Sequence, residues 1–451
     1  MAAEPQSIAE LGRALQAREI SAESVTSGCL DRIAERNPSI NAYIAVLAEQ
    51  ALAQARQADA EIARGGYRGP LHGIPISLKD LIDLRGVPTT AASKVREGHV
   101  AGGDAPIVAS LREAGAIFMG KTNLHEFAFG TTNEDSAFGL VRHPLDPNRS
   151  PGGSSGGSAA SVLDGMAYAS IGTDTGGSVR IPSAACGLVG LKPSLGEIPT
   201  AGVVPLSTTM DHVGPLCRSV EDAGIVYDVL RGAAPGPRAA RELRGRKIGV
   251  LRGYFLALLD PQVAAAFERV CARLAEAGAI LEDVDIAHAG DIAAIYLHIV
   301  LAEAAALHAQ TLDNRADDYT PNVRIRLEMG RYILAQDYVR ALRGRDVLIG
   351  EVDEALMGRD ALLLPTLPVP ATRLGAATVK IGGVEEPVRN ITLRLTQLFN
   401  VTGHPAITIP CGRTSDGLPI GAQLAGLRNG TSELLEVAAA AERYVGPGTS
   451  R

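Results

Sequence analysis

Short apolar runs alternate with helix-length periodic segments through the first half of this chain, and that alternation constrains the fold most. Residues 73–79 read as a short buried strand, 104–114 as a helix and 116–119 as another strand, and the pattern continues to Leu230. Strands separated by crossover helices imply a largely parallel arrangement with helices on both faces. The fold class expected is α/β: a single α/β/α unit built on a large twisted mixed β-sheet. All 451 residues are expected in one domain. Residues 1–70 form a helical flank, 71–231 the core, 232–350 a variable helical and βαβ region over part of the site entrance, and 351–451 the C-terminal part of the sheet.

Within that plan, Ser7 and Glu10 form a capping box, and Val25, Cys29 and Ile33 mark one helix face that Asn37-Pro38 should end. An alanine-rich helical segment spans 41–64. A Pro/Gly/Arg-rich connection at 232–246 leads to a βαβ unit with strands at 247–251 and 279–284 around a helix at 261–277. Residues 291–310 and 323–343 read as long helices. Strands at 361–365, 406–410 and 418–425 precede a last helix at 433–444.

Aromatic residues make up only 4% and Trp is absent, so the core must come from Ala, Val, Ile and Leu. The net charge of −7 argues against nucleic acid or an anionic membrane as partner. The arginine-rich stretch at 238–247 alternates with Glu and Gly and reads as a solvated loop. Five cysteines without a CxxC pair read as free thiols in a reducing compartment. No signal peptide is recognised, and no apolar run is read as reaching the roughly 20 residues that span a bilayer. The expected location is the cytoplasm.

Chemistry concentrates in two blocks, Gly152-Gly153-Ser154-Ser155-Gly156-Gly157-Ser158 and Gly172-Thr173-Asp174-Thr175-Gly176-Gly177-Ser178. Glycine turns can aim successive N–H groups into one concavity, where an oxyanion is held beside a serine nucleophile. Taken alone, either block is more often a plain turn. Lys79 closes an apolar strand. Burial lowers a lysine's pKa and lets it serve as a base, as in Ser-Lys hydrolases; snorkelling, or pairing with Asp80 or Asp83, is the plainer reading. His72, His125, His143, His212 and His404 are rival bases, but no Gly-x-Ser-x-Gly elbow supports a Ser-His-Asp site. Neither a phosphate-loop pattern nor HExxH is present, so no metal or cofactor is expected.

Together these segments resemble the amidase signature family. The resemblance runs from Gly73-Ile-Pro-Ile-Ser-Leu-Lys79-Asp80 through Thr122-Asn123, Ser136-Ala-Phe-Gly139, the two blocks and Arg180-Ile-Pro182 to Cys186-Gly-Leu-Val-Gly-Leu-Lys-Pro193. Weaker matches extend to Leu398-Phe-Asn400, Gly403-His-Pro405 and Gly417-Leu-Pro-Ile-Gly421. The resemblance implies Ser178 as nucleophile, Ser154 as a bridging serine after a cis peptide bond, and Lys79 as base. It implies oxyanion donors at Thr175, Gly176, Gly177 and Ser178, a substrate-lining Ala128, and a supporting Ser155; Asp174 and Arg180 look structural. The implied substrate is a small-molecule amide or carbamate. Relatives that bind a malonate-type carboxylate carry an arginine three positions beyond the nucleophile. Here that position is Ile181, so small acidic amides are disfavoured, and Phe127 and Phe129 would suit aryl amides or urethanes. A homodimer is compatible with this reading. Alternatives are the amidase subunit of a glutamine-dependent amidotransferase and a catalytically silent binding protein on the same fold.

Overall fold

The computed structural model describes residues 7–236 and 242–445, so the arginine-rich stretch at 238–247 lies partly outside the described residues. The flank holds α1 (Ile8–Gln16), α2 (Ala22–Ile40), β1 (Tyr43–Val46) and α3 (Ala48–Ala63). The expected capping box is present at Ser7 and Glu10. Two expectations fail here. Pro38 does not end α2, which runs on to Ile40 and stops at Asn41 in a left-handed conformation. The alanine-rich segment does not begin as helix either: residues 43–46 form an edge strand. The partner strand is β3 (Ile117–Thr122), and Gly120 there comes so close to β1 that a β-carbon would lie 2.1 Å from the Ala45 carbonyl oxygen.

The core follows as β2 (Pro75–Lys79), α4 (Pro106–Glu113), β3 (Ile117–Thr122), α5 (Gly156–Leu163), β4 (Ala169–Asp174), α6 (Arg180–Cys186), β5 (Val189–Lys192), β6 (His212–Cys217) and α7 (Val220–Leu230). The βαβ unit is β7 (Lys247–Leu251), α8 (Pro261–Glu276) and β8 (Ile280–Val284). Helices α9 (Ile292–Arg315), α10 (Pro321–Gly330) and α11 (Ala335–Leu356) come next. The chain then forms β9 (Ala361–Pro365), β10 (Thr378–Ile381), β11 (Val384–Pro387), α12 (Val388–Leu393), α13 (Gln397–Val401), β12 (Ala406–Arg413), β13 (Pro419–Ala425) and α14 (Thr431–Val445).

Eleven strands make one sheet in the order β1-β3-β2-β4-β6-β5-β12-β13-β9-β7-β8, and β10 with β11 forms a separate hairpin. The sheet is mixed rather than largely parallel. Parallel pairs join β2 to β3 and β4, and β7 to β8 and β9; the remaining neighbours are antiparallel. Successive residues of one strand face opposite sides. Accordingly Leu363, Ile407 and Leu424 join one apolar core with α1–α4, α7, α8 and α14. Leu362, Leu364, Ala406 and Ala425 join the other, with α9–α13.

The helix expected at 323–343 is two helices. Gly330 ends the first, and a β-carbon there would sit 2.1 Å from the Leu301 carbonyl oxygen, so α10 presses directly on the backbone of α9. The segment Ala289–Asp318, which contains α9, is long and apolar enough to cross a membrane, contrary to the reading that no such run exists; 56% of its most apolar window is buried inside the molecule. The five cysteines are free and buried.

Candidate active site

Strands β3, β2 and β4 lie side by side and parallel, so their carboxyl ends open onto a common crevice, where ligands bind in α/β sheets. Leu78 faces Ile171 across the β2–β4 pair. Lys79 and Thr173 therefore leave their strands together. Each strand here is buried throughout, which brings Lys79 out of water with no exposed surface.

Its ammonium nitrogen finds two hydroxyls and, among the described residues, no carboxylate. Lys79 Nζ lies 2.8 Å from Ser154 Oγ and 2.8 Å from Thr173 Oγ1. Burial brings its pKa down to about 7, against a smaller upward pull from Asp174 and Asp211. Asp80, the plainer partner considered from sequence, instead pairs with Lys121 at 2.8 Å.

Ser154 follows a cis peptide bond from Gly153, as the resemblance implied, and its carbonyl accepts from the His125 N–H at 3.1 Å. The Ser155 N–H donates to the Ser178 carbonyl at 3.2 Å, which docks the first serine loop on the second. Ser155 Oγ donates to the Thr173 carbonyl at 3.3 Å. Helix α5 begins right after this loop, and Gly157 must be glycine: a β-carbon would meet Asn123 O at 2.4 Å and Ala42 O at 2.5 Å.

The second loop is shaped from beneath by Asp174. Its carboxylate accepts from the N–H groups of Gly177 (2.8 Å), Val179 (3.1 Å) and Arg180 (3.3 Å), from the Arg180 guanidinium (3.1 Å) and from Asn400 Nδ2 (2.8 Å). Burial pushes the Asp174 pKa up, but the Arg180 charge overrides it and holds the carboxyl well below the usual carboxylate range. Arg180 is itself fully buried and also reaches Gln423 Oε1, Asn400 Oδ1 and the Thr396 carbonyl. On the other flank, Thr175 Oγ1 donates to Asp211 at 2.6 Å. Burial raises the Asp211 pKa to about 6.

These contacts correct one expected oxyanion donor. The Gly177 N–H is turned onto Asp174, to which it donates at 2.8 Å. The N–H groups of Thr175, Gly176 and Ser178 take no acceptor among the described residues. Ala128 and Thr175 both line a cavity of about 250 Å³, together with Leu81, Val204, Leu206 and Thr173. Phe127 does not share it: its ring packs edge-on against His308, with centroids 4.3 Å apart.

The rival histidines are engaged elsewhere. His212 Nε2 lies 3.2 Å from Lys192 Nζ and its Nδ1 lies 2.7 Å from the Met210 carbonyl oxygen. Burial, then the Lys192 charge, keeps its pKa well below normal. His125 faces Asp135, His72 faces Glu61, His404 faces Asp353, and His143 faces the Ala185 carbonyl. Sequence reasoning missed Thr173 as a lysine partner, although it sits inside the second block. It also missed Asp211 and Thr396, whose hydroxyl donates to the Gly176 carbonyl at 2.6 Å.

Parallel strand ends that carry a buried lysine beside a serine and a threonine hydroxyl, next to loop N–H groups without an acceptor among the described residues, suit hydrolysis of a carbonyl compound. A family profile described as Amidase matches residues 24–435, and the chain belongs to that family. The chain is 42% identical over 427 residues to an amidase of Pseudomonas putida, covering 91% of this chain and 90% of that protein. It is 37% identical over 470 residues to the A subunit of glutamyl-tRNA(Gln) amidotransferase from Koribacter versatilis, covering 95% and 96%. A solved amidase structure superposes with a TM-score of 0.92 at 35% identity, covering 98% of this chain and all of that one. The structure of 6-aminohexanoate cyclic dimer hydrolase complexed with substrate superposes with a TM-score of 0.87 at 29% identity, covering 99% and 98%. This protein is an amidase-family hydrolase of C–N bonds.

Proposed function

We propose that Ser178 is the nucleophile, Ser154 the proton relay and Lys79 the base of an acyl-enzyme amidase. The observation that carries this reading is the 2.8 Å contact of a buried lysine with Ser154 Oγ, with that lysine's pKa at about 7. Neutral Lys79 takes the Ser154 proton while Ser154 takes the Ser178 proton. Ser178 Oγ then adds to the amide carbonyl, and the N–H groups of Thr175, Gly176 and Ser178 receive the negative charge that develops on oxygen. Collapse breaks the C–N bond, and the relay run backwards delivers the proton to the leaving nitrogen. Water repeats the cycle on the ester to release the acid and restore the enzyme. Ser155 and Asp174 keep the two loops in register.

Aryl amides and carbamates are the substrates proposed. The size of the 250 Å³ cavity beside Ala128, lined on one side by Leu81, Val203, Val204 and Leu206 and on the other by hydroxyls and Asp211, supports this, since a cavity of about 150 Å³ already accepts benzene. A slow ester or carbamate should trap one acyl group, mapped to Ser178 by mass spectrometry, and Ser178→Ala should abolish it. An adduct on Ser154 or Ser155 would reverse the assignment. Full-length similarity to the A subunit of an amidotransferase supports a second reading, in which the chain is one component of a glutamine-dependent amidotransferase. Glutaminase activity with co-purification of a second chain would favour it.

A further inference from the structure

The residue that opens the second serine loop is clamped by a carboxylate outside the Ser178–Ser154–Lys79 relay. Asp174 at the end of β4 pairs in register with His212 at the start of β6. The two antiparallel chains run on side by side, so Thr175 leaves β4 opposite Asp211. There Thr175 Oγ1 donates to Asp211 Oδ1 at 2.6 Å. The other carboxylate oxygen accepts from the Leu206 N–H at 2.8 Å and the Ser207 N–H at 3.1 Å. Thr175 and Asp211 both line the cavity beside Ala128.

The segment that carries this acid is fastened from α9. Glu303 accepts from Ser207 Oγ, from the Thr209 N–H at 3.2 Å and from Thr209 Oγ1 at 2.7 Å. Tyr338 of α11 donates its hydroxyl to the same carboxylate at 3.0 Å. Ser207 is thus held by both acids, its N–H by Asp211 and its hydroxyl by Glu303. The arrangement is costly: burial, with the Glu303 charge added to it, pushes the Asp211 pKa up to about 6. Acids kept at such a cost cluster at functional sites.

What the clamp sets is the direction of the Thr175 peptide. Threonine is β-branched, and fixing its hydroxyl fixes the side-chain rotamer against its own backbone. The Thr175 N–H takes no acceptor among the described residues and is one of the three donors assigned to the oxyanion. Such a donor helps only if it is aimed before charge develops, and misplacing a group by about 1 Å costs about 10²-fold. Asp211 is itself an acceptor and has nothing to donate to an oxyanion, so it acts through the Thr175 hydroxyl.

We propose that Asp211 is a positioning residue of the reaction: by holding the Thr175 hydroxyl it keeps the Thr175 N–H aimed at the oxyanion, with Glu303 anchoring the segment from which it acts. This rests on the reading of Ser178 as the nucleophile of an amidase.

The test uses the full chain and two probes, p-nitroacetanilide for turnover and p-nitrophenyl acetate for acylation. Thr175→Val keeps the branched shape and the N–H and removes only the hydroxyl. It should lower kcat for the anilide by about 10-fold or more while KM moves by less than about 3-fold, because the loss falls on the transition state. Thr175→Ser keeps the hydroxyl and should recover most of that kcat. Asp211→Asn should reproduce the loss, and the double variant Asp211→Asn with Thr175→Val should be no slower than the slower single one, since both remove one contact. Normal kcat in Thr175→Val, a Thr175→Ser variant just as slow, or losses that multiply in the double variant would each overturn the proposal. So would a loss that vanishes once kcat is corrected for the folded fraction. Asp211→Asn also loosens residues 206–211, and if it does not fold, the two Thr175 variants decide the matter. Mapping the acetyl group left by p-nitrophenyl acetate separates this inference from the reading beneath it. Acylation slowed alike in Thr175→Val and Asp211→Asn, but at a residue other than Ser178, would sink the nucleophile assignment and leave the clamp standing. Acylation of Ser178 at the wild-type rate in both variants would do the reverse.

Discussion

Lys79 has been taken out of water with two hydroxyls for company and no acid in contact among the described residues, and this sets its chemistry. A lysine with a pKa of about 7 is charged and unable to accept a proton in acid. It becomes a base as pH rises through that value. Turnover of a neutral amide should therefore climb through about pH 7 and level off above it, and a profile flat from about pH 5.5 to about 8.5 would take the base role from Lys79. Lys79→Ala should lower kcat by about 10²-fold or more, the usual worth of a positioned base. Lys79→Arg should fail as well, because a guanidinium does not deprotonate in this range. Ser154→Ala separates relay from nucleophile: kcat should fall by orders of magnitude while Ser178 can still be acylated slowly. Normal turnover in that variant would make the relay wrong. All three positions were pointed to by the resemblance to the amidase signature family; taken alone, the two blocks read as turns and Lys79 as a snorkelling or paired lysine.

The loop from Asp174 to Arg180 is held as a unit by one buried carboxylate and one buried guanidinium. Asp174→Asn keeps the size but leaves Arg180 without a full counter-charge, so it should destabilise the protein by about 3–5 kcal/mol in a denaturant titration. Gly177→Ala should be costly for another reason. Its backbone has φ of +133°, and the new methyl would lie 2.3 Å from Thr396 Oγ1. A loss of about 3 kcal/mol is expected, together with a fall in kcat as the free N–H groups beside it shift. A variant with wild-type stability and turnover would show that the loop relaxes easily. These constraints were only half visible beforehand. The glycines stood out, but the partners that make them necessary, Thr396 and Tyr296, lie far along the chain and carry no local signature.

Across the whole molecule, the sheet is well covered at its centre and thin at one edge. Every residue of β4 is buried, whereas β8 holds only exposed and half-buried residues and, among the described residues, pairs with β7 alone. Opening should begin where few apolar contacts hold the backbone. In hydrogen exchange followed by mass spectrometry, peptides covering β8 should exchange before those covering β2 and β4, and equal protection would contradict this view of the sheet.

The sequence by itself determined the α/β class, the strand that carries Lys79 and the two serine loops, because each depends on residues adjacent in the chain: apolar periodicity, glycine turns and hydroxyl side chains. It did not determine strand direction or helix ends. β4 pairs antiparallel with β6, and β13 with β9, across long separations. Pro38 was absorbed because α2 runs on beyond it by less than one turn, and the segment at 323–343 was divided where Gly330 meets α9. Only the tertiary structure decided which N–H groups remain free at the second loop, since Asp174 claims that of Gly177. It alone set Tyr296 of α9 and Leu393 of α12 against Gly176, because that contact depends on how the helices pack and not on spacing along the chain.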